Sequence, residues 1–68
     1  MNEEAFNLSV RKFLKHFGIT AQREIEKSVY EAMRAGTLKG TETLKARARL
    51  EIPGLPMDVV IEQEITLA

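Results

Sequence analysis

The sequence has no cysteine, no tryptophan and only two prolines among its 68 residues. Without cysteine the chain forms neither disulfide bonds nor thiolate metal sites. It also lacks any run that approaches the roughly 20 apolar residues of a membrane-spanning helix. Its first residues, MNEEAFNLSVRKF, carry acids where a secretory signal has cations. We therefore expect a soluble, cytoplasmic protein that does not enter a membrane.

The length of the chain limits how much surface it buries. Residues 1–68 are expected to form a single small domain, and a chain of this size buries only about 60% of the surface that it exposes when unfolded. Its stability is then marginal unless a further interaction adds to that of its own core. Because the chain has no disulfides, we expect self-association to supply it. The sequence therefore predicts a homodimer.

A first helix is predicted over about residues 3–17. Asn2 is a good N-cap, glutamates follow in the first turn, and Gly18 is placed to end the helix in the left-handed conformation. Leu8 lies nearly opposite the apolar side, so it is either a lone exposed leucine or part of a partner interface. The apolar side is one stripe at helical spacing: Phe6, Val10, Phe13, Leu14 and Phe17.

A second helix is predicted over about residues 21–35. Thr20 is its expected N-cap, and Gly36 its expected end. Charges of both signs occupy the opposite side, which is typical of a solvated face. The apolar stripe consists of Ala21, Ile25, Val29, Ala32 and Met33.

After residue 41 the apolar period changes from helical to two, which indicates β-strands. Two strands are predicted, over about residues 42–52 and 57–67, and the segment IPGLP between them has the composition of a turn. The predicted fold is therefore α+β, with the two N-terminal helices packed on one face of a C-terminal antiparallel β-hairpin. Such a hairpin needs this cover, because two strands alone are marginally stable.

The charges of the chain are unevenly distributed although they sum to zero. Residues 1–50 carry ten cations and six acids, whereas residues 51–68 carry four acids and no cation. This asymmetry indicates either a basic surface that binds an acidic partner or two parts that neutralise each other within the fold.

The strand register favours neutralisation within the fold. One register places Arg47 opposite Glu62 and Lys45 opposite Glu64, and each such pair contributes about 0.2–1 kcal/mol. A slip of two residues pairs Arg49 with Glu62 and Arg47 with Glu64, which is nearly as good, so both registers stay open.

The hairpin also offers an edge for self-association. The second strand has no lysine or proline to protect its unpaired edge, and Val60 points away from the apolar face. We expect a twofold dimer through this edge or through the helix stripes. The predicted interaction surface, for a second copy or an unknown protein partner, comprises Leu8, Val60, Glu62 and Glu64.

A nucleic-acid-binding module is the alternative function, because helix, turn, helix and hairpin together resemble a reduced winged helix. Against it, Glu24 and Glu26 stand where phosphates would bind, and the acidic second strand is unlike a basic wing. Nucleic acid is therefore the less favoured partner. Its predicted contacts are Arg11, Lys12, Lys15, Arg23 and Lys39.

Nothing in the sequence indicates catalysis. His16, the single histidine, lies on the polar side of the first helix with no second metal ligand at a suitable spacing. The serines have no histidine and acid arranged as partners, and GTLKG is too short for a phosphate loop. We predict no enzyme activity, no cofactor, no metal and no catalytic residue.

Several segments resemble a family of small uncharacterised bacterial proteins that is classified only as a domain of unknown function. The resemblance extends over essentially the whole chain and is carried by MNEEAFN, RKFLK, QREIEK and GTLKGTETLKARARLEI. It implies a one-domain bacterial protein and assigns no activity, cofactor or site residue.

Overall fold

The computed structural model describes all 68 residues and contains three regular elements. These are helix α1 (Glu3–Ala35), strand β1 (Thr43–Leu50) and strand β2 (Val59–Thr66). The chain divides into two compact units, Met1–Thr37 with the helix and Leu38–Ala68 with the hairpin. The predicted α+β class and the C-terminal hairpin are confirmed.

Both outer ends of α1 are capped as the sequence predicts. The backbone N–H of Ala5 donates to Asn2 Oδ1 at 3.1 Å, which satisfies one of the free N–H groups of the first turn. At the other end Gly36 adopts a left-handed conformation with φ 80°. The N–H and the hydroxyl of Thr37 both donate to the Ala32 carbonyl, at 3.0 and 3.1 Å.

The prediction of two helices, over residues 3–17 and 21–35, is wrong, because α1 is continuous for 33 residues, or about 50 Å. Gly18 does not have a positive φ, and Thr20 lies inside the helix rather than capping one. A glycine inside a helix costs only about 0.5–1 kcal/mol relative to alanine. Ending one helix and starting another would leave four carbonyls and four N–H groups without helical partners. Continuing through Gly18 is therefore the more favourable solution.

Strands β1 and β2 pair antiparallel in the first of the two predicted registers, with Arg47 opposite Glu62. The alternative register, shifted by two residues, is wrong. The paired strands are also shorter than the predicted segments 42–52 and 57–67. The difference lies mainly beside the turn, where the two prolines have no N–H to contribute to the ladder.

The turn between the strands follows the glycine and proline pattern of IPGLP. The N–H of Leu55 donates to the Ile52 carbonyl at 3.1 Å, which closes a four-residue turn. Pro53 and Gly54 occupy its central positions, and Gly54 has φ 91°. This combination is typical of a type II turn.

No side chain of the chain is fully buried, so there is no closed hydrophobic core. In β1 the even-numbered residues 44–50 are half-buried and the odd-numbered ones exposed, as the alternating pattern predicts. In β2 only Ile65 reaches the half-buried class. The apolar side chains of both units therefore remain largely accessible to solvent.

Candidate interaction surfaces

The largest candidate surface is a continuous apolar line along α1, which we name the apolar stripe. Because the helix does not break at Gly18, the two predicted stripes meet, and the joined line winds partly round the helix toward its C-terminal end. Except for the half-buried Val29, its large side chains are 39–53% exposed. Phe13 and Phe17 stack along it, with ring centroids 6.4 Å apart and an interplanar angle of 23°. The stripe comprises Phe6, Val10, Phe13, Leu14, Phe17, Ala21, Ile25, Val29, Ala32 and Met33.

A second, sparser apolar line lies on the opposite side of α1. Leu8, Ile19 and Tyr30 are 52%, 48% and 60% exposed. They are spaced by 11 residues, close to three helical turns, so they project from nearly the same side. Leu8 thus has two aligned partners that the sequence interpretation missed, because it placed Ile19 in a turn. The spacing of 11 becomes informative only when the helix is taken as continuous.

The other predicted interaction residues, Val60, Glu62 and Glu64, lie together on one face of β2. Leu8 belongs to the other unit of the chain. Val60 is 45% exposed and pairs with Arg49 across the ladder. The face is polar rather than apolar, and no side chain on it is buried. No contact shows it to bind a partner, so this surface remains a prediction.

Ion pairs on this face differ in detail from the predicted ones. Glu62 accepts from Arg47 Nε at 3.0 Å and lies 2.9 Å from Lys45 Nζ, whereas Glu64 forms no ion pair. Lys45 therefore reaches diagonally across the ladder instead of pairing with the residue opposite. Side chains of these pairs are 36–68% exposed. Exposed pairs of this kind contribute about 0.2–1 kcal/mol each.

The basic end of β1 relieves a repulsion beside the turn. Arg49 Nε lies 3.2 Å from Asp58 Oδ1 and 3.7 Å from Glu51 Oε1. The cation is thus shared by two acids, one just after β1 and one just before β2. The basic strand neutralises the acidic strand locally, which supports the second explanation of the charge asymmetry.

The opposite face of the hairpin is apolar. In the ladder Leu44 pairs with Ile65, Ala48 with Ile61, and Leu50 with Val59. Gln63, opposite Ala46, interrupts this face and is exposed rather than buried. Ile61, which lies on this apolar face, is 60% exposed to solvent.

One carboxylate that sequence analysis did not single out organises the loop before β1. Glu42 accepts the N–H of Lys39 at 2.9 Å, that of Gly40 at 2.9 Å and that of Thr41 at 3.1 Å. The hydrogen bond from the Lys39 N–H lowers the pKa of Glu42 below its ordinary value of 4.5. Partial burial acts in the opposite direction, and the other backbone N–H groups lower the pKa further. The Glu42 carbonyl also accepts from Leu67 N–H at 3.0 Å, so the residue joins the loop to the end of the hairpin.

The predicted nucleic-acid contacts do not form a helix-turn-helix surface. Arg11, Lys12, Lys15 and Arg23 all lie on the single continuous helix, and no turn separates a recognition helix from a supporting one. Lys39 lies in the loop, where its N–H donates to Glu42. The helix-turn-helix and winged-helix interpretation is therefore wrong in its geometry.

Side chains of the kinds that catalyse reactions or bind metal ions are sparse in both units. His16 borders a shallow depression on α1 together with Phe13, Phe17, Thr20 and Ala21. No three histidine, aspartate or glutamate side chains lie close enough together to hold a metal ion. Long as it is, α1 is not apolar enough to cross a membrane, and no other helix is present.

A long helix followed by a two-stranded antiparallel hairpin defines an α+β chain. Comparison with known proteins agrees with the resemblance seen in the sequence. The model described as "Family of unknown function (DUF6494)" matches residues 1–68, so the chain belongs to that family. No curated protein and no solved structure matches the chain.

Proposed function

We propose that this protein is a non-catalytic module that self-associates or binds a protein partner. The observation that carries the proposal is the apolar stripe, a line of mostly exposed apolar side chains that runs for about 40 Å from Phe6 to Met33. Exposed apolar surfaces of this extent are a mark of interaction sites. The bacterial origin and cytoplasmic location predicted from the sequence are kept as part of the proposal.

The burial of side chains agrees with a missing partner. No side chain of the chain is buried, and seven large apolar side chains of the stripe are 39–53% exposed. A second copy that covers them would supply the apolar burial that one chain lacks.

The proposal does not depend on the polar face of β2. Val60, Glu62 and Glu64 remain a possible docking surface for an unknown protein, and so does Leu8. The apolar stripe offers much more hydrophobic area than any of these residues, and apolar burial is the main favourable term in stable association. Self-association through the helix is therefore the stronger form of the proposal.

Light scattering coupled to size exclusion tests the proposed function, with protein from low micromolar to near-millimolar concentration. We expect a mass of about two chains, each of 7.7 kDa. A one-chain mass at every concentration would contradict self-association.

The same measurement with a short DNA duplex at low salt tests the alternative function. A two-chain mass that is the same with and without the duplex supports the interaction module. A co-migrating complex that dissociates as salt rises would overturn it in favour of nucleic-acid binding, because phosphate contacts are strongly salt-dependent.

A further inference from the structure

We infer that the apolar stripe of α1 binds the apolar stripe of a second copy, with the two helices antiparallel. The inference rests on the proposed self-association and adds to it a surface, an occupant and an orientation. Three features of the helix carry it: the position of its large and small side chains, the order of its charges, and its length without a break.

Large and small apolar side chains occupy different halves of the stripe. Phe6, Phe13 and Phe17 lie before the helix midpoint, whereas both alanines lie after it. An antiparallel pair centred on the midpoint, Ile19, sets Phe6 opposite Ala32 and Phe17 opposite Ala21. Alternation of large and small residues across facing positions fills an interface evenly. A parallel pair instead sets each phenylalanine against its copy and each alanine against its copy, which leaves one wide end and one narrow end.

The order of charges along α1 favours the same orientation. In a parallel pair the acidic residues 3–4 face their copies, and the three cations within residues 11–15 face theirs. An antiparallel pair brings Glu4 level with Arg34 and Lys12 level with Glu26. It leaves two pairs of like charge, Arg11 with Lys27 and Lys15 with Arg23, whereas the parallel pair sets every charge level with its own copy. Antiparallel helices also bring the positive end of each dipole to the negative end of the other.

Position 18 does not interrupt the proposed contact. Gly18 is helical, and a Cβ built on it meets no atom within 4 Å. The stripe therefore extends through the middle of the helix, and full overlap of two antiparallel copies pairs residue i with residue 38 − i. This rule fixes which residues should be neighbours.

Val10 and Ser28 provide the test, because the rule pairs them and the chain has no cysteine of its own. They are 18 residues apart, which is five helical turns, so Ser28, although not a stripe residue, projects from the same side of α1 as Val10. In an antiparallel dimer Val10 of one copy faces Ser28 of the other. In a parallel dimer each faces its own copy, and the unlike positions lie about 27 Å apart.

The experiment compares Val10→Cys and Ser28→Cys, each alone and as an equimolar mixture, under mild oxidation. Disulfide formation requires Cα atoms within about 7 Å, so only facing positions are cross-linked. Leu8→Cys mixed with Tyr30→Cys is the matched control, since the same rule pairs these residues but they lie on the opposite side of α1. Circular dichroism of each variant shows whether the helix is retained.

We expect a disulfide-linked dimer from the Val10→Cys and Ser28→Cys mixture, and little from either variant alone or from the control mixture. Rapid cross-linking of each variant alone would overturn the antiparallel orientation while leaving self-association intact. Cross-linking of the control mixture would move the interface to the side of Leu8. A two-chain mass without any cross-link would assign the dimer to the hairpin and overturn the inference. A one-chain mass would overturn both the inference and the proposed self-association.

Discussion

Replacing Gly18 by alanine is expected to stabilise the protein. Gly18 has helical geometry, and the added Cβ meets no atom within 4 Å, so the methyl group enters open space. The glycine restricts the unfolded chain less than alanine does, which makes glycine less favourable inside a helix by about 0.5–1 kcal/mol. Gly18→Ala should therefore raise the free energy of unfolding by about that amount.

Gly36→Ala is the matched control, because it makes the same chemical change at the end of the same helix. Gly36 has φ 80°, and an added Cβ again meets nothing within 4 Å. The left-handed conformation itself costs a non-glycine residue about 1–2 kcal/mol. The two substitutions should therefore have opposite signs, although neither introduces a clash.

Thermal unfolding followed by circular dichroism at 222 nm, at one protein concentration, separates the two effects. For a chain of this size 1 kcal/mol shifts the melting temperature by about 4–8 °C. We expect Gly18→Ala to melt a few degrees higher than the natural protein and Gly36→Ala to melt several degrees lower. Equal losses at both positions would show that Gly18 also ends a helix, and would refute the continuous α1.

Three further predictions concern single side chains. Glu62→Gln should lower stability by at most about 1 kcal/mol, in a salt-dependent way, while Glu64→Gln should have no measurable effect in the same urea titrations. Asn2→Ala removes the N-cap bond and should lower stability by about 1 kcal/mol, with some loss of helical dichroism. Glu42→Gln should lower the melting temperature at pH 7; since the folded-state pKa of Glu42 is lowered, its contribution is present above pH 4.5 and is lost as pH falls. The difference between Glu42→Gln and the natural protein should accordingly shrink below pH 4.5, and a constant difference from pH 7 to pH 3 would contradict the proposed role of the carboxylate.

The hairpin was predictable because its signals agree with one another. Period-two alternation sets the faces, IPGLP sets the turn, and two of the three cations of β1 lie opposite acids of β2. The diagonal pairing of Lys45 with Glu62 was not predictable from the register alone, which places Lys45 opposite Glu64. A lysine is long and flexible, and strand twist brings diagonal neighbours within its reach.

The helix was harder to predict because glycine has two common uses. Gly36 ends α1 in the left-handed conformation, whereas Gly18 continues it, and both follow an apolar stripe. Local spacing does not distinguish these uses, because the decision depends on backbone groups that a break would leave without partners. The alignment of Leu8, Ile19 and Tyr30 is a signal of continuity that extends across the glycine.

Among the candidate sites, the apolar stripe was predicted residue by residue, but as two pieces. Glu42 was missed because its role lies in three backbone N–H groups of the preceding loop, which no side-chain pattern reveals. The helix-turn-helix geometry predicted for nucleic-acid binding was wrong for a related reason, since it required a turn where the backbone remains helical. What the sequence alone did not reveal was therefore the conformation of the connecting residues.

The most direct test of the central claim, that the apolar stripe drives self-association, compares two leucines on opposite sides of α1. Leu14, on the stripe, and Leu8, opposite it, are each 52% exposed. Glutamine is a good helix former without charge, so Leu14→Gln and Leu8→Gln differ mainly in the side of the helix that they change.

Sedimentation equilibrium of the natural protein and both variants measures the dimer dissociation constant. A leucine contributes about 1.5–3 kcal/mol when fully buried, half of its surface is still exposed, and a symmetric dimer contains it twice. We therefore expect Leu14→Gln to weaken the dimer by about ten- to a hundredfold, while Leu8→Gln leaves it within about twofold. Equal effects, or a larger effect of Leu8→Gln, would contradict the claim.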